Sequence, residues 1–254
     1  MPLTPSLAII TALKEELAAL EAAVAALPKE RRAQVRLARA GIGGGSANAA
    51  ANKAIVKGMR LACCTGFAGG LVEGLAVGEI VVVERVIARK GPGDAAKERP
   101  EFAVQVEAQT LAEKALTEVK LAFKTGVLVT SVEPVLKSAG KAELGRECQA
   151  LCVDMESAAV ARVAKERGAA FFSIRTISDA VGDELPEQVG DFLNEEGNVR
   201  AGQVLKFALG GPKHIRELMR LKTRSDAAAK SLAAAWTAVL PGLLDWCDAK
   251  TIAN

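Results

Sequence analysis

The chain has 254 residues, half of them apolar and a quarter charged, with a net charge of +3. That balance supports a sizeable core and excludes a disordered chain, and the interspersed signs argue against a nucleic-acid binder. Aromatic residues are scarce and Tyr is absent, which excludes a base-stacking platform for single strands. The five cysteines contain no C-x-x-C pair and His214 is the only histidine, so no zinc site or other metal site is expected. An odd number of thiols, no basic leader and no run of about 18 uninterrupted apolar residues lead to the expectation of a soluble, reduced, cytoplasmic protein.

In chain order, Leu7–Ile10 reads as a buried strand, followed by Glu15-Glu16 and an apolar-periodic helix to Leu27. Val35–Ala40 is a second strand that runs into the glycine loop Gly41–Gly45, and a helix of small residues capped by Ser46 follows to Lys57. Leu61–Thr65 is a third strand, broken by Gly66–Gly70. Ile80–Ile87, β-branched and long, is the clearest strand in the chain. Residues 90–102 read as a polar loop, Val104–Glu118 as a helix and Val127–Thr130 as a strand. After the loop Ser131–Pro134 come a helix to Glu147, a strand Leu151–Val153, a helix Glu156–Gly168 and a strand Phe171–Ile174. The remainder reads as helical, with Pro186, Pro212 and Pro241 as breakers.

Strands alternating with helices in this way predict one α/β domain over residues 1–254. Its central sheet is mixed, mostly parallel and twisted, and helices cover both faces in three layers. Residues 203–254 form a helical extension of the same domain. In such sheets the site lies beyond the carboxyl ends of the strands. The residues delivered there are Glu16, the turn Gly66-Phe67-Ala68-Gly69-Gly70, Met155 and Glu156, and Ser178 and Asp179. Three carboxylates, a thioether, a hydroxyl and glycine turns, with no histidine near a serine motif, exclude most hydrolytic triads. The set suits protonation of a departing base and stabilisation of a cationic sugar. Plainer readings stay open for each piece: Glu16, Asp154 and Glu156 as helix-start carboxylates, Met155 as core, Asp179 as a turn residue, and Arg175 as an internal ion-pair partner.

The run Val153-Asp154-Met155-Glu156-Ser157-Ala158-Ala159-Val160-Ala161, followed by Arg175-Thr176-Ile177-Ser178-Asp179, resembles the paired signature of the purine/uridine phosphorylase superfamily. Thr65-Gly66-Phe67-Ala68-Gly69-Gly70-Leu71 before Val77-Gly78-Glu79-Ile80-Val81 resembles an earlier family segment. Thr11-Ala12-Leu13-Lys14-Glu15-Glu16 resembles the start of its methylthioadenosine/adenosylhomocysteine nucleosidase branch. The likeness covers about residues 7–185. It implies that Asp179, held by Ser178, protonates N7 of a purine, and that Glu156 accepts the ribose hydroxyls with Met155 against the sugar. It further implies that Glu16 positions the attacking water, that Phe67, Ala68 and Gly69 contact the substrate, and that Val135 flanks the base. No cofactor is implied, and the nucleosidase likeness implies a homodimer.

Phosphorylases of this superfamily hold phosphate with an Arg two residues before the glycine turn and a hydroxyl just inside it. Cys64 and Phe67 stand there in this chain. A dianion would lack charge-assisted donors and would meet Glu16, which favours water over phosphate unless another cation such as Arg39 serves. The tail Ile215–Ala228 resembles that of the hopanoid-associated phosphorylase group, which implies a 5′-substituted, lipid-linked adenosine as substrate. Its apolar stripes beside Lys213, Arg216, Arg220, Lys222 and Arg224 either cover the sheet, form a dimer face, or touch the inner membrane peripherally.

Two further readings compete. Gly41-Ile42-Gly43-Gly44-Gly45-Ser46 has the setting of a dinucleotide loop, but the third glycine is replaced by Ser46 and no acidic residue follows before Glu73. A non-catalytic nucleoside-binding member of the superfamily is the other.

Overall fold

The computed structural model describes residues 5–89, 91, 99–192, 194, 196 and 198–252. Most of the polar loop expected at 90–102 lies outside the described residues, as does the N-terminal tetrapeptide. The strands are β1 (Leu7–Thr11), β2 (Val35–Arg39), β3 (Leu61–Cys64), β4 (Gly66–Gly70), β5 (Ile80–Arg89), β6 (Glu101–Ala103), β7 (Phe123–Ser131), β8 (Ala150–Asp154), β9 (Ala170–Phe172) and β10 (Ile174–Asp179). The helices are α1 (Lys14–Ala25), α2 (Gly44–Ala54), α3 (Val106–Glu118), α4 (Ser138–Cys148), α5 (Ser157–Arg167), α6 (Ala201–Ala208) and α7 (Pro212–Ile252).

All five residues of β1 are buried, as a strand covered on both faces requires. It pairs in parallel with β2 and β3, and β3 with β9, giving a four-stranded parallel sheet in the order β2-β1-β3-β9. The second sheet runs β10-β4-β8-β7-β5-β6, and β5 also pairs with β10, so five of its strands close a ring. Helices α1, α3 and α7 share one core with Leu7, Ile9 and Phe172. Helices α2 and α5 share the other with Ala8, Ile10 and Ala62. The alternate residues of β1 thus face opposite helical layers. The expected α/β class with mixed, mostly parallel pairing is the observed one.

The two sheets are joined by strands that continue from one into the other, β3 into β4 across Thr65 and β9 into β10 across Ser173. Thr65 Oγ donates to Ile174 O at 2.5 Å and accepts from Trp236 Nε1 at 2.9 Å, so a single hydroxyl holds both crossings and α7 together. The expected break at Gly66–Gly70 is therefore wrong. These residues form β4, with Gly66 at φ +146° redirecting the chain rather than ending the strand. A glycine-rich sequence carries no apolar alternation, which is why the strand is silent in the sequence. β6, which overlaps the end of the expected polar loop, gives no sequence signal because it has only three residues and lies at a sheet edge.

Of the three prolines expected to break helices, Pro241 alone needs correction. Pro212 opens α7, where a missing N–H costs nothing, and Pro241 lies inside it. An interior proline costs about 3 kcal/mol. Leu232, Trp236, Val239, Leu240, Leu243 and Leu244 flank it in the core, and each contributes about 1.5–3 kcal/mol by burial, so the helix continues. A stretch of α7 is long and apolar enough to meet the dimensions of a membrane span. Its apolar residues in the C-terminal half are instead buried against β1, β9 and β10. Ser46 does not cap α2, which starts at Gly44 behind Gly43.

Candidate active site

The nine residues singled out from the sequence, Glu16, Phe67, Ala68, Gly69, Val135, Met155, Glu156, Ser178 and Asp179, all line one cavity of about 200 Å³. It opens at the carboxyl ends of β1, β8 and β10 and beside β4, where the topology predicts a ligand site. Ala12, Leu13, Ile42, Glu133, Pro134, Val153, Asp154 and Leu185 complete the lining. Among the described residues its charged side chains are all acidic.

Glu16 sits in the first turn of α1 and is almost fully buried. Its Oε2 accepts from the Ala12 and Leu13 amides, both at 2.8 Å, and its Oε1 accepts from the Phe67 amide at 2.7 Å. Four lone-pair positions and three amide donors leave one position free for a further donor such as water. Burial raises the pKa of this carboxyl, and the three amides with the Arg175 charge oppose that rise. The plainer reading of Glu16 as a helix-start carboxylate holds as well: the same side chain caps α1 and faces the cavity.

Behind the cavity floor lies a buried ion pair. Arg175 Nη2 pairs with Asp154 Oδ2 and donates to Ser157 Oγ at 2.6 Å and Cys64 Sγ at 3.0 Å; Nη1 donates to Phe67 O at 3.3 Å. Burial works against the guanidinium charge, but Asp154, Glu156 and Glu16 outweigh it and raise its pKa. The expected role of Arg175 as an internal partner is the observed one. Asp154 accepts from Thr130 Oγ at 2.7 Å and from the Ser157 amide at 2.9 Å, so it holds the first amide of α5 and anchors Arg175. Glu156 turns the other way. Its Oε1 accepts from the Gly43 amide at 2.7 Å, at the start of α2, and its Oε2 accepts from the Met155 amide at 3.2 Å. Burial, then the neighbouring Asp154 charge, pushes its pKa up to about 7.

Asp179 ends β10. Its Oδ1 accepts from Ser178 Oγ at 2.7 Å, which places the pair as expected. Its Oδ2 accepts from Lys141 Nζ of α4, a residue the sequence reading did not single out. Lys141 lies on the face of α4 that buries Leu144, Gly145 and Cys148. A lysine on an apolar helical stripe is the signal that marks it. Leu185 and Ile42 were also missed, because single apolar residues in loops carry no pattern.

The Cys64 thiol, pushed up to about 12 by burial, stays neutral beside Arg175. Arg39, the alternative phosphate holder, donates to Asn198 Oδ1 at 2.8 Å and does not line the cavity. Among the described residues no cluster of His, Cys, Asp and Glu is placed to hold a metal ion.

The family described as "Phosphorylase superfamily" matches residues 6–208. The chain is 34% identical over 127 residues to the 5′-methylthioadenosine/S-adenosylhomocysteine nucleosidase of Thermotoga maritima, over 49% of this chain and 55% of that protein. It is 28% identical over 145 residues to the aminodeoxyfutalosine nucleosidase of Helicobacter pylori, over 54% of this chain and 63% of that protein. The match thus spans little more than half the length of these curated relatives. Among solved structures, the futalosine hydrolase of Helicobacter pylori strain 26695 superposes with a TM-score of 0.71 at 17% identity, covering 94% of this chain and 98% of that one. The Neisseria meningitidis 5′-methylthioadenosine/S-adenosylhomocysteine nucleosidase in complex with methylthio-immucillin-A gives 0.69 at 20%, covering 92% and 97%. At those identities the structural likeness speaks for the fold. The family match covers most of the chain, and this protein belongs to the phosphorylase superfamily.

Proposed function

We propose that this protein hydrolyses the N-glycosidic bond of an adenine nucleoside. Asp179 protonates N7 of the departing base, Glu156 accepts the ribose hydroxyls with Met155 against the sugar, and Val135 flanks the base. Glu16 uses its remaining lone-pair position to orient water toward C1′. The bond between C1′ and N9 breaks toward the base, the cationic sugar that develops lies between Glu16 and Glu156, and C1′ then bonds the water oxygen as its proton passes to Glu16.

One observation carries water over phosphate as nucleophile: among the described residues the lining holds Glu16, Glu133, Asp154, Glu156 and Asp179 and no Lys or Arg. The nearest guanidinium, Arg175, is already committed to Asp154. A phosphate dianion would enter an acidic cavity without a charged donor. The named relatives, nucleosidases of methylthioadenosine, adenosylhomocysteine and aminodeoxyfutalosine, support the same reading.

The finer reading is a 5′ substituent that is apolar and extended, as in an adenosyl lipid. It rests on a second cavity of about 780 Å³ that shares Met155 with the site and is walled by Ala88, Phe102, Val132, Ala158 and Ala159. Exposed Leu205, Leu209, Ile215 and Met219 alternate with Lys206, Lys213, Arg216 and Arg220, which supports peripheral contact with an anionic membrane. A homodimer and a cytoplasmic location belong to the same reading. Adenine release from adenosine derivatives carrying 5′ chains of increasing length tests it: kcat/KM should rise with chain length, and release from none of them would refute the proposal.

A further inference from the structure

Lys141 is the only buried lysine among the described residues, and the proposed reaction gives it no task. Its Nζ donates to Asp179 Oδ2, to Ala180 O at 3.1 Å and to Asp183 O at 2.8 Å. Three donors meet three acceptors, which is the full capacity of an ammonium. All three acceptors belong to Asp179 and the loop directly after it. Taking an ammonium out of water is costly before its partners offset it, so an apolar side chain would join α4 to this loop at lower cost. Packing alone does not account for a lysine here.

We infer that Lys141 is the positioning residue of the acid, an inference that rests on Asp179 as the proton donor to N7. With Oδ2 held from α4 and Oδ1 held by Ser178, the carboxyl plane is fixed at both oxygens, and the acid meets the base in one orientation. Before the step Asp179 takes a proton from solvent on Oδ1, with the Ser178 hydroxyl turned to Ala68 O at 3.3 Å; in the step that O–H bond breaks and the N7–H bond forms. The electron pair of the C1′–N9 bond passes to the base. Asp179 is left as a carboxylate, and the Lys141 ammonium already stands beside the charge that has developed. The arrangement is fastened from outside: Arg224 of α7 pairs with Asp183, whose Oδ2 accepts from the Ala180 amide at 2.9 Å. The loop that supplies two of the three acceptors for Lys141 is thereby tied to the C-terminal helix.

The test compares wild type, K141M and K141R on an adenine nucleoside and on 4-nitrophenyl riboside, whose leaving group departs without a proton. K141M should lose about 10²-fold in kcat on the nucleoside. Its KM should stay within about threefold of wild type, and its 4-nitrophenyl ribosidase activity should be retained. K141R, which keeps the charge and reaches the same acceptors, should recover part of the loss. K141Q provides the same comparison if K141M does not fold by circular dichroism. Nucleoside turnover by K141M equal to wild type overturns the inference. So do equal losses on both substrates with no recovery in K141R, since they mark a merely structural lysine. A wild type that releases base from no nucleoside counts instead against the proposed function.

Discussion

The Phe67 amide donates to Glu16 Oε1 at 2.7 Å, which ties the start of α1 to the strand that crosses beneath the cavity. Gly66 makes this possible twice over. Its φ of +146° is one that side chains rarely adopt, and a Cβ built there would overlap the Glu16 carboxylate. Gly66→Ala should therefore lower stability by about 1–3 kcal/mol and displace Glu16. The expected outcome is a lower urea midpoint together with a loss of kcat. A variant as stable and active as wild type would show that neither the turn nor the seat of Glu16 depends on glycine.

Asp179→Asn removes the proposed proton donor while keeping the side chain's shape. Its expected effect is a fall in kcat of about 10²–10⁴-fold, with affinity for a nucleoside analogue largely retained by calorimetry. Nearly unchanged turnover would remove Asp179 from the role of acid.

Glu156 provides a pH test. Its folded-state pKa, about 7 against an ordinary 4.5, is raised by burial and by Asp154. A raised carboxyl contributes stability below its unfolded pKa and loses that contribution as pH rises through its folded pKa. The ligand-free protein should lose stability between about pH 4.5 and 7 on this account, and Glu156→Gln should flatten that slope. In the proposed role the charged form accepts the ribose hydroxyls, so kcat/KM should rise as pH passes through about 7. A pH–rate profile and urea melts of both proteins check the two directions.

Trp236 tests whether the C-terminal helix belongs to the core. It is fully buried, meets Phe172 edge-on at 6.5 Å and bonds the Thr65 hydroxyl that joins the two sheets. Trp236→Ala should cost about 3–5 kcal/mol. Trp236→Phe should cost less, chiefly the hydrogen bond, about 0.5–1.5 kcal/mol. Thermal unfolding of the pair measures both. If Trp236→Ala melts with wild type, α7 is not part of the core.

Much of the site was legible because strand ends and carboxylates are both local signals. Asp179 and Ser178 follow a buried apolar run, and Met155-Glu156 follow another, so α/β topology alone sends them to one crevice. What the sequence hid was pairing at long range. β4 has no apolar alternation to announce it, and its membership in the sheet comes from backbone hydrogen bonds to β8 and β10. Lys141 is 38 positions from Asp179, and only the packing of α4 against the loop after β10 brings them together. Asp154 and Glu156 look alike as helix-start carboxylates. The fold separates them, sending one inward to Arg175 and the other toward the Gly43 amide. Pro241 misled in the opposite direction, since local propensity was overridden by the buried face on either side of it.

The proposed reaction uses water to displace adenine in a cavity that, among the described residues, is lined by acidic side chains and no free cation. The direct measurement supplies methylthioadenosine, adenosylhomocysteine or a longer 5′-alkyl adenosine to the phosphate-free protein and analyses the sugar product. Free adenine and free reducing sugar, formed at the same rate with and without added phosphate, are the predicted result. Strict dependence on phosphate, with a sugar 1-phosphate as product, would contradict it.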